Sequence, residues 1–213
     1  MNTEATLTLA HWLSPSYPVG AFAYSHGLET LIQSRALTTA QDLQCWLLDV
    51  LEHGSGRADA VLVSCAYQAE ADELAHIDAS ARAFAGSGER LRETVLQGAA
   101  FVRTTHDIWG HDLPDLTYPV AVGRAAQLAG LPLDLTMAMY VQAFAGNLVS
   151  AAIRLVPLGQ TEGQGVLAAL APTCAALAKD LQDATLDELH SSAFLSDIAA
   201  MAHETLETRI FRS

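Results

Sequence analysis

Apolar residues recur at three- and four-residue spacing along almost the whole chain, and no stretch alternates apolar and polar in the strand period. That pattern restricts the chain to stacked helices. Leu43, Trp46, Leu47, Val50 and Leu51 share one face, opened by a capping box at Thr38-x-x-Gln41 and closed by Gly54 and Gly56. Val61, Leu62, Cys65 and Ala69 form the next stripe, and Leu74, Ile77, Ala81 and Phe84 another. Gly86-Ser87-Gly88 reads as a turn before a long helix carrying Leu91, Val95, Ala99 and Val102. Two prolines make 111–119 a loop, ahead of a short helix near 120–129. A long apolar helix from about Asp134 to Val156 stops at Pro157. The following helix runs to about Asp183 and is expected to bend or break at Pro172. Thr185-x-x-Glu188 reads as a second capping box. Ser196 is expected to cap a last helix with Ile198, Met201, Ala202 and Leu206 on one face. No linker or low-complexity tract divides the chain. It is predicted to be one all-α domain over residues 1–213, a compact bundle of roughly eight to ten helices.

Composition narrows the function. Half of the 213 residues are apolar, so the chain has either a large core or a face covered by a partner. The formal net charge of -13 speaks against nucleic acid and against an anionic membrane surface. Residues 131–158 are apolar enough to raise a membrane span, but Gln142, Asn147, Ser150 and Arg154 interrupt them, and a buried central helix is expected. Lys179 is the only lysine, and its amphipathic surroundings read as surface. Cys45, Cys65 and Cys174 are widely spaced and form no Cys-x-x-Cys, which fits thiols packed as small hydrophobes in a reducing cytoplasm. No basic region followed by an apolar run opens the chain, so no signal peptide is expected.

Motifs for chemistry are sparse. The sequence has no phosphate-binding G-x-x-x-x-G-K-[ST], no His-Glu-x-x-His and no G-x-S-x-G. His106, Asp107, His111, Asp112 and Asp115 are the best metal candidates, yet residues five apart do not share a helix face. Arg154 lies on the most apolar helix and needs a carboxylate or several carbonyls around it. Between Ser14 and Gly27 the chain concentrates Pro15, Pro18, Gly20 and Gly27 with Tyr17, Phe22 and Tyr24. That segment is either a plain helix connection or a rigid turn presenting aromatic anchors to a partner. Arg209, Phe211 and Arg212 in the tail are residue types that interfaces favour.

These segments in order resemble the urease accessory protein UreF family. The N-terminal match is Ser14-Pro15, then Pro18-x-Gly20-x-Phe22-x-Tyr24-Ser25-x-Gly27-Leu28-Glu29. Asp59, Glu89-Arg90, Glu93, Gln97-Gly98 and Tyr118-Pro119-Val120-Ala121 with Gly123 follow. Asn147 to Ala152, Arg154-Leu155-x-Pro157-Leu158-Gly159-Gln160 and Met201-x-His203-Glu204-Thr205 continue the order. Arg209-x-Phe211-Arg212-Ser213 closes it. Thr117, Ala202 and Thr208 stand where the family commonly has His, Arg and Ser. The resemblance implies a cytoplasmic, all-helical, dimer-forming scaffold with no reaction and no cofactor of its own. It would link a UreD/UreH-type protein to the GTPase UreG for nickel insertion into apo-urease. By the same resemblance, the partner-binding residues are Tyr17, Phe22, Tyr24 and Glu29 near the start, and His203, Glu204, Arg209, Phe211, Arg212 and Ser213 at the end. The tail is expected to be mobile when free and to order on a partner. A metal carrier using His106 and His111, and a helical enzyme centred on Arg154, are the competing readings.

Overall fold

Ten α-helices and two single-turn 3-10 segments make up the computed structural model, which describes residues 3–213. The helices are α1 (Thr3–Trp12), α2 (Leu28–Gln33), α3 (Ala40–His53), α4 (Ser55–Gln68) and α5 (Leu74–Phe84). Then come α6 (Gly88–Trp109), α7 (Tyr118–Leu128), α8 (Leu133–Leu155), α9 (Gln160–Asp180) and α10 (Phe194–His203). No strand occurs among the described residues.

The centre of the bundle is α4. Its residues from Ala58 to Ala66 are all buried, so it has no solvent face and carries no exposed polar stripe. It lies against α3, α5, α7 and α8. Contact with α7 is close because Gly123 is there. A Cβ on Gly123 would stand 2.3 Å from the Val63 carbonyl oxygen. Helix α8 packs along α9 and α4. Among the described residues it is the one helix long and apolar enough to cross a membrane by length and composition. It buries Met137, Tyr140, Val141, Leu148 and Val149 in the bundle, as a core helix does.

Local signals differ from expectation at four places. The capping box of α3 uses Thr39 and Asp42, one residue on from Thr38 and Gln41. The Thr39 hydroxyl accepts from the Asp42 N–H at 3.1 Å, and the Asp42 carboxylate accepts from the Thr39 N–H at 2.9 Å. Helix α9 runs unbroken through Pro172. That proline sits on the exposed face, where the carbonyl it leaves unpaired can meet water. Thr185 opens only a 3-10 turn over Leu186–Glu188 and makes no side-chain cap. Ser196 lies inside α10, which starts at Phe194.

Two helices bury the face that periodicity would leave out. Helix α6 turns Glu93, Thr94, Gln97, Gly98 and Phe101 inward together with Val102, and leaves Leu91 partly exposed. Helix α10 buries Ser196, Ala199 and His203, whereas Ile198, Met201 and Ala202 face solvent. The cause in α10 is backbone proximity. Gly27 (φ 80°) lies so close that a Cβ there would be 2.5 Å from the Ala200 nitrogen, and only small residues fit between. Phe194, Leu195, Ile198 and Met201 are therefore 52–76% exposed on one side of α10.

Candidate functional site

The two ends of the chain meet. The N-terminal segment turns through left-handed backbone at Gly20, His26 and Gly27, and the tail lies along it. The Arg212 N–H donates to the Ala23 carbonyl at 2.8 Å, and the Ser25 N–H donates to the Ser213 carbonyl at 2.9 Å. The Ser25 hydroxyl donates to that same oxygen. Phe211 is buried, with the Arg154 guanidinium 4.6 Å above its ring centre.

Glu29, in the first turn of α2, organises this junction. Its buried carboxylate accepts the N–H groups of Ile210 at 2.8 Å and Phe211 at 2.9 Å, and faces His203 Nε2 at 3.2 Å. His203 Nδ1 lies 2.7 Å from Glu89, which also pairs with Arg209. The next carboxylate on α6 is Glu93. Its carboxylate contacts His26 at 3.0 Å, Gln97 at 3.0 Å and the Ser213 hydroxyl at 3.3 Å. Burial works against its ionised form, yet His26 and then Arg90 hold its carboxyl below the usual range. Arg90 in turn donates to both oxygens of Asp59 at 2.7 and 2.8 Å. The Tyr140 hydroxyl donates to Asp59 at 2.8 Å. Burial first, and Asp59 next, push that phenol well above its ordinary value, so it stays a donor. A cavity of about 40 Å³ lies beside this network, among Tyr17, Tyr24, His26 and Asp59, and has room for a water molecule.

The residues expected to meet a partner thus divide in two. Tyr17, Tyr24, Glu29, His203, Phe211 and Ser213 are buried within the chain itself. Phe22, Glu204, Arg209 and Arg212 are exposed. Glu204 caps α6 by accepting the Gly88 N–H at 2.7 Å. The tail is therefore seated in the free chain, which corrects the expectation of a mobile end. Arg154 is exposed and makes no carboxylate pair among the described residues; it donates to the carbonyls of Ser150 and Phe22 at 3.1 and 2.9 Å. Pro157, Gly159 and Gln160 form the α8–α9 turn, where the Gly159 N–H donates to Glu162. They lie outside the tail junction, as do Pro15 and Pro18, which shape the exposed part of the N-terminal turn.

His106 and His111 do not converge. Gly110 turns the chain left-handed, so His106 Nδ1 meets only the His111 backbone oxygen at 3.3 Å, and the His111 ring packs edge-on to Trp12. Among the described residues no three His, Cys, Asp or Glu side chains are grouped to hold a metal ion. Cys65 and Cys174 are packed as expected, but Cys45 is exposed. Burial pushes both packed thiols up to about 11. In the native chain Cys45 alone is expected to react with a thiol reagent at about pH 8. Release of a second equivalent before unfolding would contradict this.

The residues that periodicity missed are Asp59, Glu89, Arg90 and Glu93. They appear in the sequence only as scattered matches to a family pattern, since charged residues on a buried helix face leave no apolar stripe.

Fold and junction together define an all-helical protein whose tail is locked onto its N-terminal turn by buried carboxylates. Residues 37–171, well over half of the chain, match the UreF family. Similar full-length relatives are urease accessory proteins UreF. That of Roseobacter denitrificans is 56% identical over 213 residues, covering 100% of this chain and 96% of the relative. That of Ruegeria pomeroyi is 53% identical over 208 residues, covering 97% and 96%. That of Cereibacter sphaeroides is 50% identical over 211 residues, covering 99% and 100%. The chain belongs to the UreF family of urease accessory proteins.

Proposed function

We propose that this chain serves urease maturation as a non-enzymatic scaffold. It links a UreD/UreH-type accessory protein to the GTPase UreG, so that nickel reaches apo-urease in the cytoplasm, and it works as a homodimer. The observation that carries the reading is the outward apolar face of α10, next to the seated tail. Four large apolar side chains, Phe194, Leu195, Ile198 and Met201, stand in solvent on one helix, and Ile210 is 71% exposed a few residues on. A contiguous apolar patch of this kind marks a protein interface. The exposed Arg209 and Arg212 of the tail, and Phe22 on the N-terminal turn, offer guanidinium and aromatic anchors. The buried tail residues hold that surface in shape from beneath.

Co-purification with the UreD/UreH-type protein tests the reading. The double substitution Leu195→Asp with Ile198→Asp is expected to abolish the complex and leave the melting temperature unchanged, because both side chains are already in water. Deleting residues 211–213 is expected to abolish the complex and also to destabilise the free chain. Loss of the buried Phe211 ring costs about 2–3 kcal/mol, or roughly 5–10 °C in Tm for a chain of this size. A complex that survives the two aspartates would remove α10 from the interface. A truncated chain with unchanged Tm would mean the tail is not seated.

A further inference from the structure

Asp197, in the first turn of α10, has no cation opposite it among the described residues. Its Oδ2 accepts the Ser191 hydroxyl at 2.9 Å. Its Oδ1 accepts no hydrogen bond from them and lies over Gly86, where a Cβ would stand 3.5 Å away. Asp197 and Gly86 line a cavity of about 230 Å³ between α4, α5, α6 and the 191–197 segment. Leu62, Ala81 and Phe84 give it an apolar wall. A second cavity of about 40 Å³ adjoins it, with Ser55, Gly86, Arg90 and Asp197 lining both. Ser196 lines the second cavity. It is 8% exposed, and its hydroxyl has no hydrogen-bond partner among the described residues. Buried hydroxyls are ordinarily bonded, so this one is available to a group from outside the chain.

Of the two carboxylates lining the larger cavity, Asp59 is taken and Asp197 is left over. Arg90 bonds both Asp59 oxygens and lies 3.5 Å from Glu93, and His26 contacts Glu93 at 3.0 Å. On α5 Asp78 pairs with Arg82, and on α6 Glu89 pairs with Arg209. We propose that the larger cavity receives a basic side chain, arginine or lysine, of the protein that covers α10. Its charged head meets Asp197 Oδ1, and Ser196 Oγ is the acceptor left for a second N–H. Its alkyl stem lies along the apolar wall, where Phe84 offers a ring face to the cation. Size points to a side chain: sites for whole ligands run to about 300–1,000 Å³, and this cavity is smaller. Position points to the partner. Asp197 stands between Leu195 and Ile198, both exposed on the apolar face of α10. The inference rests on the reading of that face as a partner surface, and adds the chemistry of one anchor: an acidic socket beside an apolar patch.

The test begins with the full chain alone and two probes, n-butylguanidinium and n-butylammonium chloride. 1-Butanol, which has the stem without the charge, is the control. Backbone amide shifts of Gly86, Ser191 and Asp197 are followed by NMR at constant ionic strength. At least one cation is expected to saturate the site in the millimolar range, and the tighter of the two tells arginine from lysine. Butanol is expected to give no saturable shift. Asp197→Asn is expected to weaken the probe at least about tenfold, the worth of one hydrogen bond to a charged group. It is also expected to weaken binding of the UreD/UreH-type protein by about tenfold or more. No saturable shift with either cation, equal binding of butanol, or equal probe affinity in Asp197→Asn would each overturn the proposal. So would a complex that Asp197→Asn leaves unmoved. The wild-type titration decides the matter even if Asp197→Asn fails to fold. Failure of the α10 reading is told apart by Leu195→Asp with Ile198→Asp: a complex that survives those changes removes that reading, whereas the probe titration needs no partner.

Discussion

Replacing Gly98 by alanine is expected to lower stability by about 3 kcal/mol. Helix propensity alone predicts the opposite, a gain of about 1 kcal/mol, since alanine is the better helix former. The structure decides the sign. A Cβ at Gly98 would lie 1.9 Å from the Leu116 carbonyl oxygen and 2.8 Å from the Thr117 carbonyl carbon. Both atoms are backbone, so no rotamer change relieves the clash, and α6 must move off the loop that leads into α7. That loop is itself tied down: the Thr117 N–H donates to Asp78 at 2.6 Å, and the Tyr118 N–H donates to Thr94 at 3.3 Å. Gly165→Ala is the control. It lies on the exposed face of α9, where a Cβ would meet nothing within 4 Å, so propensity should act unopposed there and add up to about 1 kcal/mol. Urea midpoints of the two variants, at constant m-value, test the pair. A stabilised Gly98→Ala would mean that α6 and the 116–118 loop do not approach this closely.

Arg90→Met is the second large effect, at about 3–5 kcal/mol near neutral pH. The methionine fills much of the volume but leaves Asp59 and Glu93 buried without their shared cation. Burial opposes the charge of Arg90, but Asp59 and then Glu93 outweigh it and raise its affinity for the proton, so the wild-type side chain is charged throughout. The pH dependence has a definite sign. Glu93 is held below the usual carboxyl range in the wild type, so its contribution is present above its unfolded value and is lost as pH falls through the folded one. In Arg90→Met the same carboxyl keeps His26 but loses Arg90, so it is held down less and takes up a proton more readily. The deficit relative to wild type should therefore be largest at neutral pH and narrow on acidification. Asp59→Asn added to Arg90→Met should recover part of the loss, because the two groups share one contact. Urea unfolding of the wild type and the two variants at pH 7 and at about pH 5 reads both effects. Equal deficits at the two pH values would show that the cost is one of packing rather than charge.

The α10 helix shows how far reasoning from periodicity reaches. Its existence was legible, because apolar residues at helical spacing act within a few positions of each other. Its orientation was not. Ile198, Met201 and Ala202 have the spacing of an inner stripe, yet they face water because Gly27 brings another backbone onto the opposite side. An apolar stripe reports that something covers it and does not say whether the cover is the same chain. The aromatic and proline-rich segment at 14–27 was legible as unusual, but its role as the seat of the tail was not.

Local chemistry in the chain was enough to determine an all-α bundle, some of its helix limits, the turn at Gly86–Gly88, the stop at Pro157 and membership of a family. These depend on backbone preferences and a repeat of 3.6 residues, which neighbouring positions carry between them. The tertiary structure alone decided which carboxylates are buried and what they hold. Glu29 accepts N–H groups from residues 181 and 182 positions away, and Glu89 meets His203 across 114. A buried charge is tolerable only where donors converge on it. Convergence across such separations is a property of the folded chain, which no local pattern of residues encodes.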